Sequence, residues 1–448
     1  MIGRKKSMEV LKKVLSRSDA DQVEARISGE ELALTRFANS EIHQNLTREN
    51  STLHVRAVVD RKIGTATTNN FDDESVHKVV EQAENLARMQ EVNEDFESLP
   101  DPGCASDMKN YYSSTAQYSP GQRASDVEVI AEKAEEEKEF KAFGAHNTVT
   151  EELAVMNSLG VKAYDTSTYA YLRTVIEGPN GTGYADQLDR DVDRVKPWQI
   201  GDEAVKKAAR AQNPVELATG DYEAIFEPYA VADIVRFLGY LGFRARLVQE
   251  GQSFMADKFG EQITGNKFTI WDDAEDGRTL NRPFDAEGVP KKRVDLVTSG
   301  VAEGVVYDSF TAHREDKHST GHARVRRGVT QDMPANMIMK TGSSSLEEMI
   351  ASTDRGLLVT RFHYTHCPEP REVVMTGTTR DGIFYVEDGE VKYPVKNMRL
   401  TDSVLRMFKH IQAISSEAKL QRDWWSTFTS LLPAVHVGSS RWSGATDF

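Results

Sequence analysis

The spacing of apolar residues near the start of the chain predicts a helix followed by a strand. Between residues 4 and 17, apolar side chains recur every three or four positions, which is the period of one face of an amphipathic helix. Residues 22–28 alternate instead, with Val23, Ala25 and Ile27 on one side, as in a strand that is buried on one face.

The same reading predicts a hairpin and a second helix. Residues 52–59 and 62–67 alternate between apolar and polar positions and flank residues 60–61, Asp-Arg, which we expect to form a tight turn. Asp72 is a typical N-cap residue for a helix over 73–89, because its carboxylate can accept a bond from a free backbone N–H.

A boundary between two domains is predicted near Pro214. Prolines and glycines among polar residues make about 96–122 a long connecting segment, and helical patterns follow over 123–140 and 202–212. Pro214 cannot continue the second of these helices. We therefore expect an N-terminal α/β domain over residues 1–213.

The second half, 214–448, is predicted to be rich in strands. A strand over 222–226 and an apolar helix over 229–246 are followed by short strands between turn signals. Only two further helices are expected, over 345–352 and about 401–413. Strands that do not alternate with helices favour an α+β fold, with an extensive and largely antiparallel C-terminal sheet.

The composition excludes several classes of function. The formal net charge of the 448 residues is −15, whereas binding to a phosphate backbone depends on clustered Lys and Arg, so we expect no nucleic-acid partner. No apolar run approaches the roughly 20 residues that span a bilayer, and no signal peptide is recognised. Cys104 and Cys367 lie far apart in the sequence, which argues against a disulfide framework. These features predict a cytoplasmic protein without membrane association.

Potential zinc ligands are concentrated in one region, where five of the eleven histidines lie between 313 and 366. The candidate ligands are His313, Glu315, His318, His363, His366 and Cys367. Their spacing is unfavourable, because positions five apart lie about 140° from each other around a helix. Odd separations lie on opposite faces of a regular strand. We interpret these residues as strand and surface positions that bind no metal, and a site drawn from two segments stays open as an alternative.

Acidic residues at 272–273, 285 and 287 form a second constellation. They lack the regular spacing of a calcium-binding loop. We therefore expect them to cap turns and to form salt bridges with Arg278 and Arg282.

Eight short motifs, taken in order, resemble one protein family. They are Arg-Phe-Ala-Asn-Ser-Glu-Ile-His-Gln at 36–44, Val-Val-Asp-Arg-Lys-Ile-Gly-Thr-Ala at 58–66, Trp-Asp-Asp at 271–273, Arg-Pro-Phe-Asp-Ala-Glu-Gly at 282–288, Tyr-Asp-Ser-Phe-Thr-Ala at 307–312, Ser-Thr-Gly at 319–321, Thr-Thr-Arg-Asp-Gly at 378–382 and Pro-Val-Lys-Asn-Met-Arg at 394–399. Together they resemble the TldD/PmbA (modulator of gyrase) family of zinc-metalloprotease subunits nearly end to end.

The resemblance implies a fold and a role. The fold would be an N-terminal α/β domain and a metalloprotease-like C-terminal domain, with subunits that pair into a dimer around a crevice for unfolded peptides. The TldD branch of the family carries His-Glu-x-x-x-His on a helix, with a cysteine near the C-terminus, as its zinc site. The PmbA (TldE) branch lacks these ligands.

The chain resembles the PmbA/TldE branch at the helix that would hold zinc. In the form His-Glu-x-x-Gly-His, this motif has a glycine before its second histidine. Aligning Gly242 with that glycine places Leu238, Gly239 and Phe243 at the positions of the two histidines and the glutamate. None of these side chains can donate a lone pair to zinc or transfer a proton. Residues 424–448 contain no cysteine. We therefore expect no catalytic residues and no cofactor in this chain.

Three hypotheses follow from the sequence. In the first, the chain is a zinc-free subunit whose TldD-like catalytic partner holds the zinc; a homodimer is a further possibility for its assembly. In the second, it is a stand-alone metallopeptidase with a non-standard site of histidines and Cys367. In the third, it is a peptide-binding scaffold without protease activity.

Overall fold

The computed structural model describes residues 1–137, 139–280, 282–326, 328–422 and 429–445. Its helices are α1 (Arg4–Arg17), α2 (Asp73–Met89), α3 (Ser113–Ala116), α4 (Pro120–Glu135), α5 (Pro197–Arg210), α6 (Pro228–Leu241), α7 (Ala245–Gln249), α8 (Ser309–His313), α9 (Leu346–Ala351) and α10 (Val404–Lys409), with a 3₁₀ turn at Val192–Arg194. Its strands are β1 (Gln22–Ala38), β2 (Glu41–Val59), β3 (Lys62–Thr68), β4 (Lys141–Asn157), β5 (Lys162–Glu177), β6 (Thr182–Asp189), β7 (Gly220–Phe226), β8 (Ile270–Asp272), β9 (Val294–Thr298), β10 (Val301–Ala302), β11 (Ala323–Arg326), β12 (Val329–Asp332), β13 (Asn336–Met339), β14 (Arg355–Glu369), β15 (Val374–Glu387), β16 (Glu390–Pro394), β17 (Met398–Ser403), β18 (Ile411–Arg422) and β19 (Thr429–Ala445).

The N-terminal half contains a six-stranded sheet in the order β3-β2-β1-β4-β5-β6, with every neighbouring pair antiparallel. Asp60 and Arg61 join β2 to β3 with φ angles of 51° and 61°. Positive φ at both central residues is the geometry of a two-residue hairpin turn whose twist matches its strands. The predicted tight turn is confirmed.

Helices cover one face of this sheet in two separate groups. α1 and α2 pack on β1 and β2 in an apolar cluster that includes Val14 and Ile27. α4 and α5 pack on β4, β5 and β6 in another, which includes Ile130 and Ile176. Gly64 permits close packing of α2, because a Cβ there would lie 2.1 Å from the carbonyl oxygen of Ala83.

The C-terminal half forms a mixed, largely antiparallel sheet. The pairs β7–β14 and β13–β19 are parallel. β7 pairs with both β14 and β19, while β14, β15, β17 and β19 pair in series, so these five strands close into a ring. α6 packs on β14 and β19. The main apolar core of this half includes Ile234, Leu357, Met375 and Trp442.

Two predicted helices are interrupted in the structure. Residues 401–413, predicted as one helix, form the end of β17, then α10, then the start of β18. The flanking residues pair with β15 and β19, so cross-strand pairing overrides the local helical pattern. The helix predicted over 229–246 ends at Leu241, and α7 begins at Ala245. Gly242 lies between them, where a Cβ would meet the ring of Phe254 at 1.8 Å.

The predicted α+β class is confirmed, and the antiparallel N-terminal sheet belongs to the same class. Side chains of the two halves contact each other, as in the ion pairs of Arg282 with Glu151 and of Lys419 with Glu203, both at 2.7 Å. The domain boundary at 213/214 falls between α5 and β7, and it stays a prediction. Among the described residues, no helix is both long and apolar enough to cross a membrane.

Candidate functional site

The three positions in and after α6 that align with the two histidines and the glutamate of the family's zinc motif face the core. Leu238 is 1% exposed, and the missing side chain of Gly239 leaves room for Met337, whose Cε would lie 2.9 Å from a Cβ there. Phe243 follows the helix and packs edge-on against Phe254, with 5.7 Å between the ring centroids. No donor atom for zinc is present at these positions.

Another set of α6 positions with the same spacing faces outward. Arg236, Phe237 and Leu241 are half-buried, while the neighbouring Tyr240 is exposed. A guanidinium is always protonated and offers no lone pair to a metal, and Phe and Leu have no donor atoms. Neither face of the helix therefore fits the zinc site that the family resemblance implies.

The outward face of α6 meets the exposed end of β14. The Phe362 amide donates to the Asp233 carboxylate at 3.3 Å, and Arg236 bonds the Thr365 hydroxyl. β7 pairs with β14 only as far as Val359. Within the described chain, no strand pairs with that edge of β14 beyond Val359. We use the name α6–β14 surface for the outward residues Arg236, Phe237 and Tyr240 of α6 together with the exposed His363, Tyr364 and His366 of the adjoining stretch of β14.

A bulge in β14 changes where its two histidines point. His363 lies opposite Thr378 and His366 opposite Thr376, so three steps on β14 match two on β15. Because alternate residues of a strand share a face, the extra residue brings both histidines to the same side. Their odd spacing was expected to place them on opposite faces, and this expectation was wrong because it assumed a regular strand.

Tyr364 forms the bulge and is the most exposed aromatic residue of the surface. Its φ of 55° is unusual for a bulky side chain. The ring is 66% exposed and packs edge-on to His366, with 4.8 Å between the centroids. Backbone strain of this kind is found preferentially at binding and active sites. Tyr364 is therefore the residue of this surface best placed to contact a ligand.

Burial raises the pKa of the Cys367 thiol to about 11. At pH 8 only about one such thiol in a thousand is ionised, and the thiolate is the reactive form. We therefore expect iodoacetamide at pH 8 to alkylate the exposed Cys104 well before the half-buried Cys367. Peptide mapping by mass spectrometry after timed quenching measures both rates. Equal rates would contradict the environment assigned to Cys367.

Within the described part of the chain, the candidate ligands His313, Glu315 and His318 do not form a metal-binding group. The carboxylate of Glu315 accepts bonds from Tyr307 Oη at 2.9 Å, Gln249 Nε2 at 2.9 Å and Lys317 Nζ at 2.6 Å. His313 ends the short helix α8, and His318 is exposed on the loop that follows. Three protein donors thus already bond the Glu315 carboxylate.

The Ser-Thr-Gly motif at 319–321 forms the turn that its residues predict. The Thr320 hydroxyl accepts a bond from the Tyr307 amide at 2.8 Å and lies 3.1 Å from the Tyr307 carbonyl oxygen. Gly321 has a φ of 73°, and a Cβ there would meet the carbonyl oxygen of Pro290 at 2.4 Å. The turn therefore brings the backbone at Gly321 into close contact with the backbone at Pro290.

His322, next to this turn, is a buried structural residue. Its Nε2 lies 2.9 Å from Asp272 Oδ1, and both side chains are 0% exposed. Burial, with the nearby Lys291, lowers the pKa of His322, so the neutral ring donates its Nε2–H to Asp272. Burial alone would raise the pKa of Asp272, but His322 and backbone N–H groups hold it well below its usual range. Across the described ranges, no group of three or more His, Cys, Asp and Glu side chains is placed to hold a metal.

Glu287, in the 282–288 motif, connects the two halves. Glu287 accepts bonds from Arg56 Nη2 at 2.9 Å and from Ser309 Oγ at 2.7 Å, and Arg56 also pairs with Glu24 at 2.7 Å. Asp285 accepts three backbone N–H groups, and burial followed by the charge of Glu287 raises its pKa. Asp273 and Asp285 accept amides of their own turns, as predicted, whereas Asp272 and Glu287 bond distant partners.

The prediction that these acids form salt bridges with Arg278 and Arg282 is wrong. Arg278 pairs with Asp276, and Arg282 pairs with Glu151 of the N-terminal sheet. The contact of Arg56 with Glu287 had a signal in the sequence, because β1 and β2 carry charged residues on the face opposite their apolar residues. The two partners are nevertheless 231 positions apart.

Three family models match the chain in order. They describe PmbA/TldA metallopeptidase domain 1 over residues 23–87, the central domain over 115–212 and the C-terminal domain over 219–444. A metalloprotease PmbA homolog from Buchnera aphidicola is 26% identical over 282 residues, which are 60% of this chain and 59% of that relative. Another, from Haemophilus influenzae, is 24% identical over 382 residues, 82% of this chain and 81% of that relative.

A solved structure has the same fold. TldE from Thermococcus kodakarensis superposes with a TM-score of 0.90 at 23% identity, covering 98% of this chain and 100% of that one. The C-terminal domain model alone matches more than half of the chain, and the two others precede it in the expected order. The chain therefore belongs to the PmbA/TldD metallopeptidase family.

Proposed function

We propose that this chain is a PmbA/TldE-like, zinc-free subunit of a TldD-type metallopeptidase complex. The observation that carries the proposal is the chemistry of α6, since neither set of positions with the motif spacing, buried or outward, holds a zinc ligand. The catalytic zinc would then belong to a TldD-like partner subunit. This chain would complete a crevice in which an unfolded peptide is held for proteolysis or processing, in the cytoplasm.

The α6–β14 surface supports a role in holding peptides. An extended peptide can add to a sheet along a free strand edge, where main-chain bonds provide affinity and side-chain pockets provide specificity. Beyond Val359, this side of β14 has no partner strand among the described residues, although the Phe362 amide is bonded to Asp233, and exposed aromatic rings lie beside it. We propose that peptides bind along this edge.

Replacing Tyr364 with alanine is expected to weaken peptide binding about tenfold, because exposed tyrosines at interface centres contribute more than 1 kcal/mol. Fluorescence anisotropy of a labelled, unfolded casein peptide measures the affinity. Tyr393→Ala serves as the matched control, since Tyr393 is a 36% exposed tyrosine on β16, which pairs with β15 on the same sheet. Equal affinity of the Tyr364→Ala variant and the unmodified chain would place the peptide elsewhere.

The division of labour between subunits is tested by reconstitution. Peptide cleavage is measured for the chain alone, for a His-Glu-x-x-x-His homologue from the same source alone, and for both together. We expect cleavage to require the homologue and to increase when this chain is added, and to vanish when the glutamate of the homologue is replaced by glutamine.

Two other outcomes would reject the proposal. Zinc-dependent cleavage by this chain alone would favour a stand-alone metallopeptidase. Peptide binding without any effect on the homologue would favour a scaffold that has no protease partner.

A further inference from the structure

A polar cavity of about 230 Å³ lies on the helix-covered face of the N-terminal sheet. It is bounded by strand residues of β1, β2 and β4 and by the segment that leads into α4. Sites for drug-sized ligands usually exceed about 300 Å³. At about 30 Å³ per water, this cavity has room for roughly seven waters or for one small molecule.

One end of the cavity carries the buried cation Arg123. Its side chain is 1% exposed, and its acceptors are uncharged: Thr35 Oγ1 at 3.2 Å, the Tyr118 carbonyl at 2.8 Å, and more distant contacts to Asn45 and Thr148. No carboxylate among the described residues pairs with it.

The acid nearest to Arg123 along α4 is used elsewhere. Asp126 accepts a bond from Tyr118 Oη at 2.8 Å and lies 3.1 Å from His146 Nδ1. The cation therefore lacks a counter-charge from its own helix.

The position of Arg123 in α4 increases the need for an anion. A capping box of Ser119 and Gln122 starts this helix, which has no acidic residue in its first turn. The N-terminus of a helix carries a partial positive charge, and a buried cation without a counter-ion is costly. Both effects favour a negative group in the cavity beside Arg123, and burial lowers the pKa of the guanidinium accordingly.

The other end of the cavity carries an acid without a partner. Glu31 lies opposite Thr150 of β4 in the sheet register, while Ala33 lies opposite Thr47 of β2. Among the described residues, the side chains of Glu31, Thr47 and Thr150 form no hydrogen bond or ion pair. Thr148, which contacts Arg123, is two residues from Thr150 on β4, a separation of about 6.7 Å along a strand.

We propose that this cavity binds a small zwitterion, an α-amino acid, with its carboxylate on Arg123 and its ammonium group on Glu31. The two charged ends of such a ligand match the two uncompensated charges, and the hydroxyls of Thr47 and Thr150 can bond its polar atoms. A phosphate would suit Arg123 but would be repelled by Glu31.

Binding is tested on the full chain by isothermal titration calorimetry with L-alanine, propionate, ethylamine and inorganic phosphate. We expect saturable binding of one L-alanine per chain. Propionate and ethylamine each lack one charge and should bind at least about tenfold more weakly, because each loses a charge-assisted hydrogen bond. Phosphate that binds more tightly than alanine would overturn the proposal, and so would the absence of alanine binding at millimolar concentration.

Variants locate the ligand. Glu31→Gln should weaken alanine binding at least about tenfold while leaving the urea midpoint nearly unchanged, because no side chain of the described residues bonds Glu31. Glu30→Gln is the matched control, since Glu30 is the adjacent residue on the opposite face and pairs with Arg48. Thr150→Val tests the hydroxyl without touching the buried arginine. Unchanged affinity in both the Glu31 and the Thr150 variants would reject this cavity as the site.

Discussion

Replacing Arg56 with methionine is expected to lower the free energy of unfolding by about 3–5 kcal/mol. The guanidinium stands between Glu24 and Glu287, whose side chains are 7% and 1% exposed. Removing it leaves two buried carboxylates without the cation that bonds both of them, and only the charge of Arg26 nearby still acts on them. Because Glu287 also holds the backbone amide of Ser309, the loss reaches the loop that carries the family signature. Urea unfolding followed by circular dichroism measures the change.

Two comparison variants separate this network from a general effect of charge. Arg48→Met removes an arginine from the same strand whose pair with Glu30 is exposed, so a change below about 1 kcal/mol is expected. Adding Glu24→Gln and Glu287→Gln to Arg56→Met should recover part of the lost stability, because the two carboxylate charges that Arg56 neutralised are then removed. If Arg56→Met and Arg48→Met behave alike, the buried network does not hold the two halves together.

Replacing Asp272 with alanine is the second change with a large expected effect, about 3 kcal/mol or more. Its carboxylate accepts bonds from His322 at 2.9 Å, from the Ala335 amide at 2.6 Å and from the Asn336 amide at 2.8 Å. Each buried donor that loses its acceptor costs about 1–3 kcal/mol. Asp273→Ala is the adjacent control, because among the described residues the Asp273 side chain bonds only the nearby Glu275 amide, and its loss should cost about 1 kcal/mol or less.

The effect of Asp272→Ala also depends on pH. The folded pKa of Asp272 lies below its ordinary value of 3.8, so its contribution is complete above that pH and is lost as the pH falls further. The difference in unfolding free energy between the variant and the unmodified chain should therefore shrink below about pH 4. A difference that grows below pH 4 would contradict the lowered pKa of Asp272. Between pH 7 and pH 4 the titration of His322, whose pKa Asp272 raises, adds its own change.

Local features of the fold could be predicted from the sequence because a few neighbouring residues determine them. Asp72 caps α2 by accepting a bond from the Ser75 amide at 2.8 Å, as its position before an apolar helical pattern indicated. Gly321 has the positive φ that its turn requires. In each case the side chain and its partner lie within a few residues of each other.

Contacts between distant segments could not be predicted in the same way. The bond of Arg56 to Glu287 and the closure of β19 on β7 join residues more than 200 positions apart, and no local pattern encodes such a register. The bulge at Tyr364 likewise depends on how β14 pairs with β15. The side on which His363 and His366 lie follows from that pairing.

The buried face of α6 could not be predicted from its sequence. Nearly every residue between 234 and 243 is apolar or glycine, so the sequence does not indicate which face is buried. Aligning the family motif on Gly242 selected Leu238, which faces the core, whereas Arg236 with the same motif spacing faces outward. The chemical conclusion is the same for both alignments, because neither provides a ligand for zinc.

Zinc content of the purified chain tests the central claim most directly. After dialysis against zinc and gel filtration, inductively coupled plasma mass spectrometry should find far less than one zinc per chain. The result that would contradict a zinc-free subunit is one tightly held zinc per chain that is lost on replacing His363 or His366 with alanine.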